Sequence, residues 1–171
     1  TCCSVPMMMR GSAGNVLRRS WEAAFFKPED WFYTSIVKYH VVAGKPKAAD
    51  LRWSTPAFLD EVERMKPDLR ILVCMGKAVA DFLLGLNPDS KASRLKFKLT
   101  DILGSLLPAP WLGPEIRLYV MDAASVPVTR PELYERFVTD LAAIKAELDV
   151  LRGRSTIQVT RRYETITNAA Q

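Results

Sequence analysis

Residues 70–85, RILVCMGKAVADFLLG, constrain the fold more than any other stretch of the chain. Ile71–Met75 is a short apolar run with β-branched residues at two positions, and Gly76 breaks it. Val79, Phe82 and Leu83 then recur at helical spacing. An apolar run without polar alternation is the pattern of a strand buried on both faces, and such strands belong to parallel sheets covered by helices. Gly76 lets the backbone turn closely between strand and helix. Pro67 ends the helix expected before the strand. The helix N-terminus directs its free N–H groups at the carboxyl end of the strand, where α/β proteins usually bind ligands. The same residues also serve as plain core, so the unit speaks to fold before it speaks to function.

The flanking patterns extend this unit. Leu17, Trp21, Ala24 and Phe25 recur at helical spacing and predict a helix over 14–26. Residues 31–37 are aromatic and β-branched and predict a strand. Residues 39–53 read as a long loop, and Thr55-Pro56 as the N-cap and first position of a helix whose inner face is Phe58, Val62 and Met65. Residues 86–114 read as irregular, with Arg94, Lys96 and Lys98 alternating on a possible edge strand and Pro108, Pro110 and Pro114 barring regular structure. Residues 116–121 predict a strand. Thr129-Arg-Pro-Glu132 reads as a capping box that launches a long helix with Leu133, Phe137, Leu141, Ile144, Leu148 and Leu151 inside, and Gly153 stops it.

This order predicts an α/β fold: three α/β/α layers around a short parallel sheet. Three expected strands are few for a sheet covered on both faces, and the chain opens on Thr1 in mid-pattern, so an N-terminal strand is expected to lie upstream. The expected domain is 1–153, followed at 154–171 by a basic tail or the start of another domain. That tail holds Arg154, Arg161 and Arg162, and its end, YETI followed by TNAAQ, is similar to the entry into the exonuclease domain of family A DNA polymerases.

At 171 residues, 49% hydrophobic and 25% charged, the chain can bury one core. No apolar run reaches membrane-spanning length, and no signal peptide is visible, so an intracellular protein is expected. Cys2 and Cys3 are adjacent and Cys74 lies in the strand, a spacing that makes neither a disulfide framework nor a zinc site. The net charge of +5 suits a phosphate backbone without requiring one.

Three segments together resemble the uracil-DNA glycosylase superfamily, nearest its iron–sulfur type. Residues 7–17, MMMRGSAGNVL, match a loop like RPFVGRAGQLL, with Gly11 and Gly14 in register. Residues 32–42, FYTSIVKYHVV, match a strand like VYITNVVKCRPP, and residues 67–85 match PRVIVALGATAARALLG. A looser match joins TYHPAALLR…PEL to residues 120–124 and 131–133. The resemblance implies a base pocket at Met9, Gly11, Ser35 and His40. It puts Met9 where an aromatic ring stacks on the flipped uracil, and Ser35 where an Asn reads the uracil edge. It puts Met121, beside Asp122, where a His stabilises the departing anion. These are degenerate: a hydroxyl cannot pair two base atoms as an amide does, and a thioether next to a carboxylate gives an oxyanion nothing. Tyr39 and Ser54 stand at cluster-ligand positions, so no cofactor or metal is expected. The water-positioning GExPG-like loop would precede Thr1.

Lys38, Lys77, Arg94, Lys96 and Lys98 are the expected phosphate contacts. His40, the single histidine, has no acidic or nucleophilic partner in the pattern and reads as a loop or phosphate contact. Trp53 and Trp111 read as loop aromatics, able to stack on bases or cap the core. The expected function is a DNA-associated, non-catalytic glycosylase-like domain within a larger replication or repair protein, such as a viral-type polymerase. Its partners are then DNA and the rest of a longer polypeptide or a replication partner, with no membrane. The alternatives are an active glycosylase completed by its upstream loop, and a protein-docking module without a nucleic-acid role.

Overall fold

The computed structural model describes residues 11–39, 46–86 and 98–154. In chain order the labelled elements are helix α1 (Gly11–Ala23), α2 (Ala48–Met65), strand β1 (Ile71–Met75), α3 (Lys77–Gly85), the short α4 (Leu99–Ile102), β2 (Leu106–Pro108), β3 (Arg117–Met121), the short α5 (Val126–Thr129) and α6 (Tyr134–Leu151). The sheet order is β1-β3-β2. β1 and β3 pair in parallel with Ile71 opposite Arg117 and Met75 opposite Met121. β2 joins β3 antiparallel, Leu106 opposite Tyr119.

Successive side chains of a strand point to opposite faces, so each strand feeds two cores. Cys74, Leu118 and Val120 lie on one face with Phe58 and Val62 of α2 and Ala80 and Leu83 of α3. Tyr119 and Met121 lie on the other with Leu17 and Trp21 of α1 and Phe137, Leu141 and Ile144 of α6. The fold is therefore α/β, with a helical layer on each side of a small sheet. Burial pushes the Cys74 thiol up to about 12, so it packs as a small hydrophobe rather than reacting.

The structure departs from the sequence reading at several places. Residues 31–37 form no strand: Trp31 is extended, residues 36–37 bend, and no described neighbouring backbone pairs with the segment. The sheet is mixed: residues 106–108 lie in the stretch read as irregular, yet they pair with β3 after a turn at Gly104, φ +76, whose N–H donates to the Val120 carbonyl at 2.8 Å. α2 begins at Ala48, because the Asp50 carboxylate accepts the Lys47 N–H at 2.7 Å and caps the helix there. Thr55 is thus inside α2, where its hydroxyl donates to the Leu51 carbonyl at 2.7 Å, and Pro56 removes one internal hydrogen bond. Trp53 is consequently an exposed helix residue. Thr129 ends α5 and donates back to the Val126 carbonyl at 3.1 Å, so it is no cap of α6. The first helix runs three residues earlier than expected and ends where the Phe26 N–H returns to the Trp21 carbonyl. Gly153, φ +67, does stop α6. Lys98 precedes α4, while residues 94–97 and the tail beyond Arg154 lie outside the described residues.

A buried carboxylate ties the end of α6 to the turn after α1. Asp30 accepts the Lys27 N–H at 3.2 Å, Arg152 at 2.7 Å and Arg154 at 3.1 Å, with Lys145 at 3.6 Å. Burial by itself would raise the Asp30 pKa; the Lys27 amide, Lys145, Arg154 and Arg152 outweigh it and hold the carboxyl below its ordinary value. A depressed carboxylate contributes stability that is complete above the unfolded pKa and lost as pH falls through the folded one. Asp30→Asn is expected to cost on the order of 1–3 kcal/mol at neutral pH, reduced by solvent screening of the half-exposed Arg154. Denaturant melts from pH 7 down to pH 3 check it: the deficit of the variant should shrink as the wild type protonates.

Candidate functional site

The parallel pair β1 and β3 brings two turns together at its carboxyl end. The Gly76 N–H donates to the Met121 carbonyl at 2.9 Å, joining the turn into α3 to the residue that leaves β3. Gly76 has φ +91 and ψ 163, backbone that only glycine occupies comfortably. A Cβ there would sit 3.2 Å from the Ala123 Cβ, so the close approach of the two turns also requires glycine.

The expected site residues divide around this point. Lys77, Met121 and Asp122 meet at the two turns. Lys77 opens α3 and is bonded to Asp81 at 2.9 Å. Met121 is fully buried in the core against α1 and α6, and Asp122 beside it is partly exposed. Ser35 is half-buried on the segment before α2. Gly11 is exposed at the start of α1, with φ +79. Met9, His40, Arg94 and Lys96 lie outside the described residues.

Lys38 is engaged within the protein. Its ammonium bonds Glu61 at 2.5 Å and Thr34 at 2.7 Å, and it lies 5.8 Å from the centre of the Phe58 ring. The Thr34 hydroxyl also donates to Glu61, at 2.7 Å. This trio was not legible in the sequence, since 27 residues separate Thr34 from Glu61 and helical periodicity does not mark a polar residue's distant partner. Among the expected phosphate contacts that are described, Lys98 stands before α4, and its N–H donates to Asp101 at 3.2 Å.

The positions that resemble cluster ligands come close together. The Lys38 N–H donates to the Ser54 hydroxyl at 3.3 Å, and the neighbouring Tyr39 phenol donates to Asp50 at 2.6 Å, one turn before Ser54. Tyr39 is pushed up by that hydrogen bond, and Asp50 is pulled down by it. A phenol and a hydroxyl that are already hydrogen-bonded do not fit an iron–sulfur cluster, which thiolates hold. Among the described residues no three His, Cys, Asp or Glu side chains gather as a metal site.

A groove of about 720 Å³ runs beside β1. Trp31, Tyr33, Ser35 and Ile36 line it on one side, and Ile71, Val73 and Met75 on the other. Phe58 and Val62 of α2 and Leu141 and Ile144 of α6 line it as well. The sequence reading missed it, although the aromatic run Trp31-Phe32-Tyr33 marks one wall. Trp111, in contrast, packs against the core formed with α2 and α3.

Two helical layers on a small sheet, with the glycine turn at the carboxyl end of a parallel pair, define an α/β domain. The family model for the uracil DNA glycosylase superfamily matches residues 7–154, and the chain belongs to that superfamily. Comparison with curated proteins gave no match. No described helix is long and apolar enough to cross a membrane.

The close approach at Gly76 gives a direct test. Gly76→Ala forces a Cβ against Ala123 in a backbone region that alanine avoids, so it is expected to cost about 1–3 kcal/mol. Chemical denaturation of wild type and variant measures the difference, and Gly85→Ala, with open space around its Cβ position, serves as control.

Proposed function

We propose that this is a DNA-associated domain of the glycosylase fold that has lost base excision and serves inside a larger replication or repair protein. The observation that supports this best is the carboxyl end of β3. The side chain where the resemblance requires an anion-stabilising donor is Met121, a thioether buried in the core, and the next residue is the carboxylate Asp122. A leaving uracil anion would find no donor from the first and repulsion from the second. Ser35 in place of a base-reading amide agrees with this, and so does the hydrogen-bonded Tyr39 and Ser54 arrangement.

Membership of the superfamily and the excess of 24 Lys and Arg over 19 Asp and Glu support DNA as partner. With Lys38 and Lys77 paired to Glu61 and Asp81, the cationic surface is modest, and binding is weak and insensitive to sequence. Arg154, Arg161 and Arg162 after Gly153 add to the positive balance.

Fluorescence titration of a duplex oligonucleotide at two salt concentrations is expected to show weak binding that falls steeply with salt, through counterion release. Binding that is absent, or independent of salt, overturns the DNA-associated reading.

The chain alone is expected to leave uracil in DNA. One missing oxyanion donor typically costs about a hundred- to a thousand-fold in rate, and here the base reader has changed as well. Nicking of a uracil-containing oligonucleotide after alkali measures this. Cleavage above background that Asp122→Ala or His40→Ala abolishes would establish an active glycosylase instead, with Asp122 activating water.

A further inference from the structure

Two large aromatic side chains stand exposed around the first turns of α2. Trp53 is 83% exposed and Tyr39 is 46% exposed. One exposed aromatic residue is ordinary, but here the fold brings two together. The Tyr39 phenol donates to Asp50 at 2.6 Å, and the Lys38 N–H donates to the Ser54 hydroxyl at 3.3 Å. Residues 38 and 39 are thereby held along the turn of α2 that carries Trp53. Asp50 and Trp53 are three residues apart in that helix, so they are surface neighbours, with about 5–6 Å between their Cβ atoms. Neither Tyr39 nor Trp53 packs its ring on another aromatic ring among the described residues.

The neighbouring helix positions leave the indole bare. Residues four before, three after and four after Trp53 flank it on the helix surface. They are Ala49, Pro56 and Ala57, all exposed and all short. None has a side chain long enough to cover the ring. The bond to Asp50 holds the Tyr39 ring in place, and the 18-residue helix holds the Trp53 backbone. A ligand that stacks on such prepared faces loses little affinity to ordering them.

Charge selects the ligand. Lys47 precedes α2 and Arg52 adjoins Trp53, and both are exposed. Arg52 has no ion-pair partner among the described residues. The acid beside them, Asp50, is engaged by the Tyr39 phenol and by the Lys47 N–H at 2.7 Å. Aromatic faces interleaved with cations fit a polyanion that carries flat rings; a purely apolar protein partner would leave Lys47 and Arg52 unused. Bases in a duplex already stack on one another, whereas those of a single strand present their faces to aromatic side chains. We propose that Tyr39 and Trp53 form a stacking platform for single-stranded DNA, on which two unpaired bases lie while Lys47 and Arg52 meet the adjoining phosphates. The platform rests on the DNA-associated reading above, and it uses none of the residues at the carboxyl end of β3.

Fluorescence anisotropy of a labelled oligothymidylate of about a dozen nucleotides, titrated with the chain of residues 1–171 at several salt concentrations, tests it. The duplex is titrated in parallel, and thermal melts check that each variant is folded. Trp53→Ala is expected to weaken single-strand binding by about tenfold, Tyr39→Ala to weaken it as well, and Trp53→Phe to restore most of the loss. The loss should be larger on the single strand than on the duplex. Trp53→Ala should keep the wild-type slope of log affinity against log salt, whereas Arg52→Gln should reduce that slope by about 0.7, one phosphate contact on a single strand. Single-strand affinity that survives both Trp53→Ala and Tyr39→Ala overturns the platform, and so does equal weakening on single strand and duplex. Wild type that binds the duplex and not the single strand overturns the platform alone; wild type that binds neither overturns the DNA-associated reading with it. Self-association in sedimentation that Trp53→Ala abolishes makes this face an interface between copies and overturns the platform.

Discussion

The parallel pairing of β1 with β3 is the constraint on which the other contacts depend. Its five-residue register sets Cys74 and Val120 on one face and Tyr119 and Met121 on the other, and each set gathers its own helical layer. It also sets the Gly76 N–H against the Met121 carbonyl, which fixes the distance between the turn into α3 and the exit from β3. Nothing larger than glycine fits that approach without moving Ala123. The geometry of this edge is thus a by-product of strand register, independent of whether its side chains do chemistry.

That independence lets a fold be retained whatever chemistry its edge carries. A core position is held by volume and apolarity, and many residues satisfy both. A catalytic position is held by one donor at one place, and a single exchange ends it. Met121 meets the first demand, completing the core against α1 and α6. Tyr39 and Ser54 serve structure as well, since hydrogen bonds to Asp50 and from the Lys38 N–H join the segment before α2 to that helix.

What the sequence made legible follows the range of each signal. The run 70–85 and the strand ending at Met121 were readable because buried parallel strands are continuous apolar runs with glycine punctuation. The inner face of α6 was readable from periodicity, though its start was not, because Thr129 and Glu132 mimic a capping box whose hydroxyl in fact bonds back into α5. α2 started early because Asp50, a capping acid in an unpromising loop, outcompeted Thr55-Pro56. β2 was hidden by Pro108, which an edge strand tolerates at its last residue. At the candidate site, residue types were legible and pairings were not: Lys38 read as a phosphate contact, but Glu61 and Thr34 hold it.

The misread strand at 31–37 is the most instructive of these differences, because its composition was read correctly. Aromatic and β-branched residues favour a pleated, half-buried surface only when a neighbour supplies the ladder. Here the segment forms no strand, and Trp31 and Tyr33 line an apolar groove; Tyr33 is buried enough that its phenol pKa rises. The opposite wall, β1, pairs its backbone with β3 alone among the described residues. A local pattern that predicts a strand thus fails where no neighbouring backbone completes the ladder, however well the side chains suit a sheet.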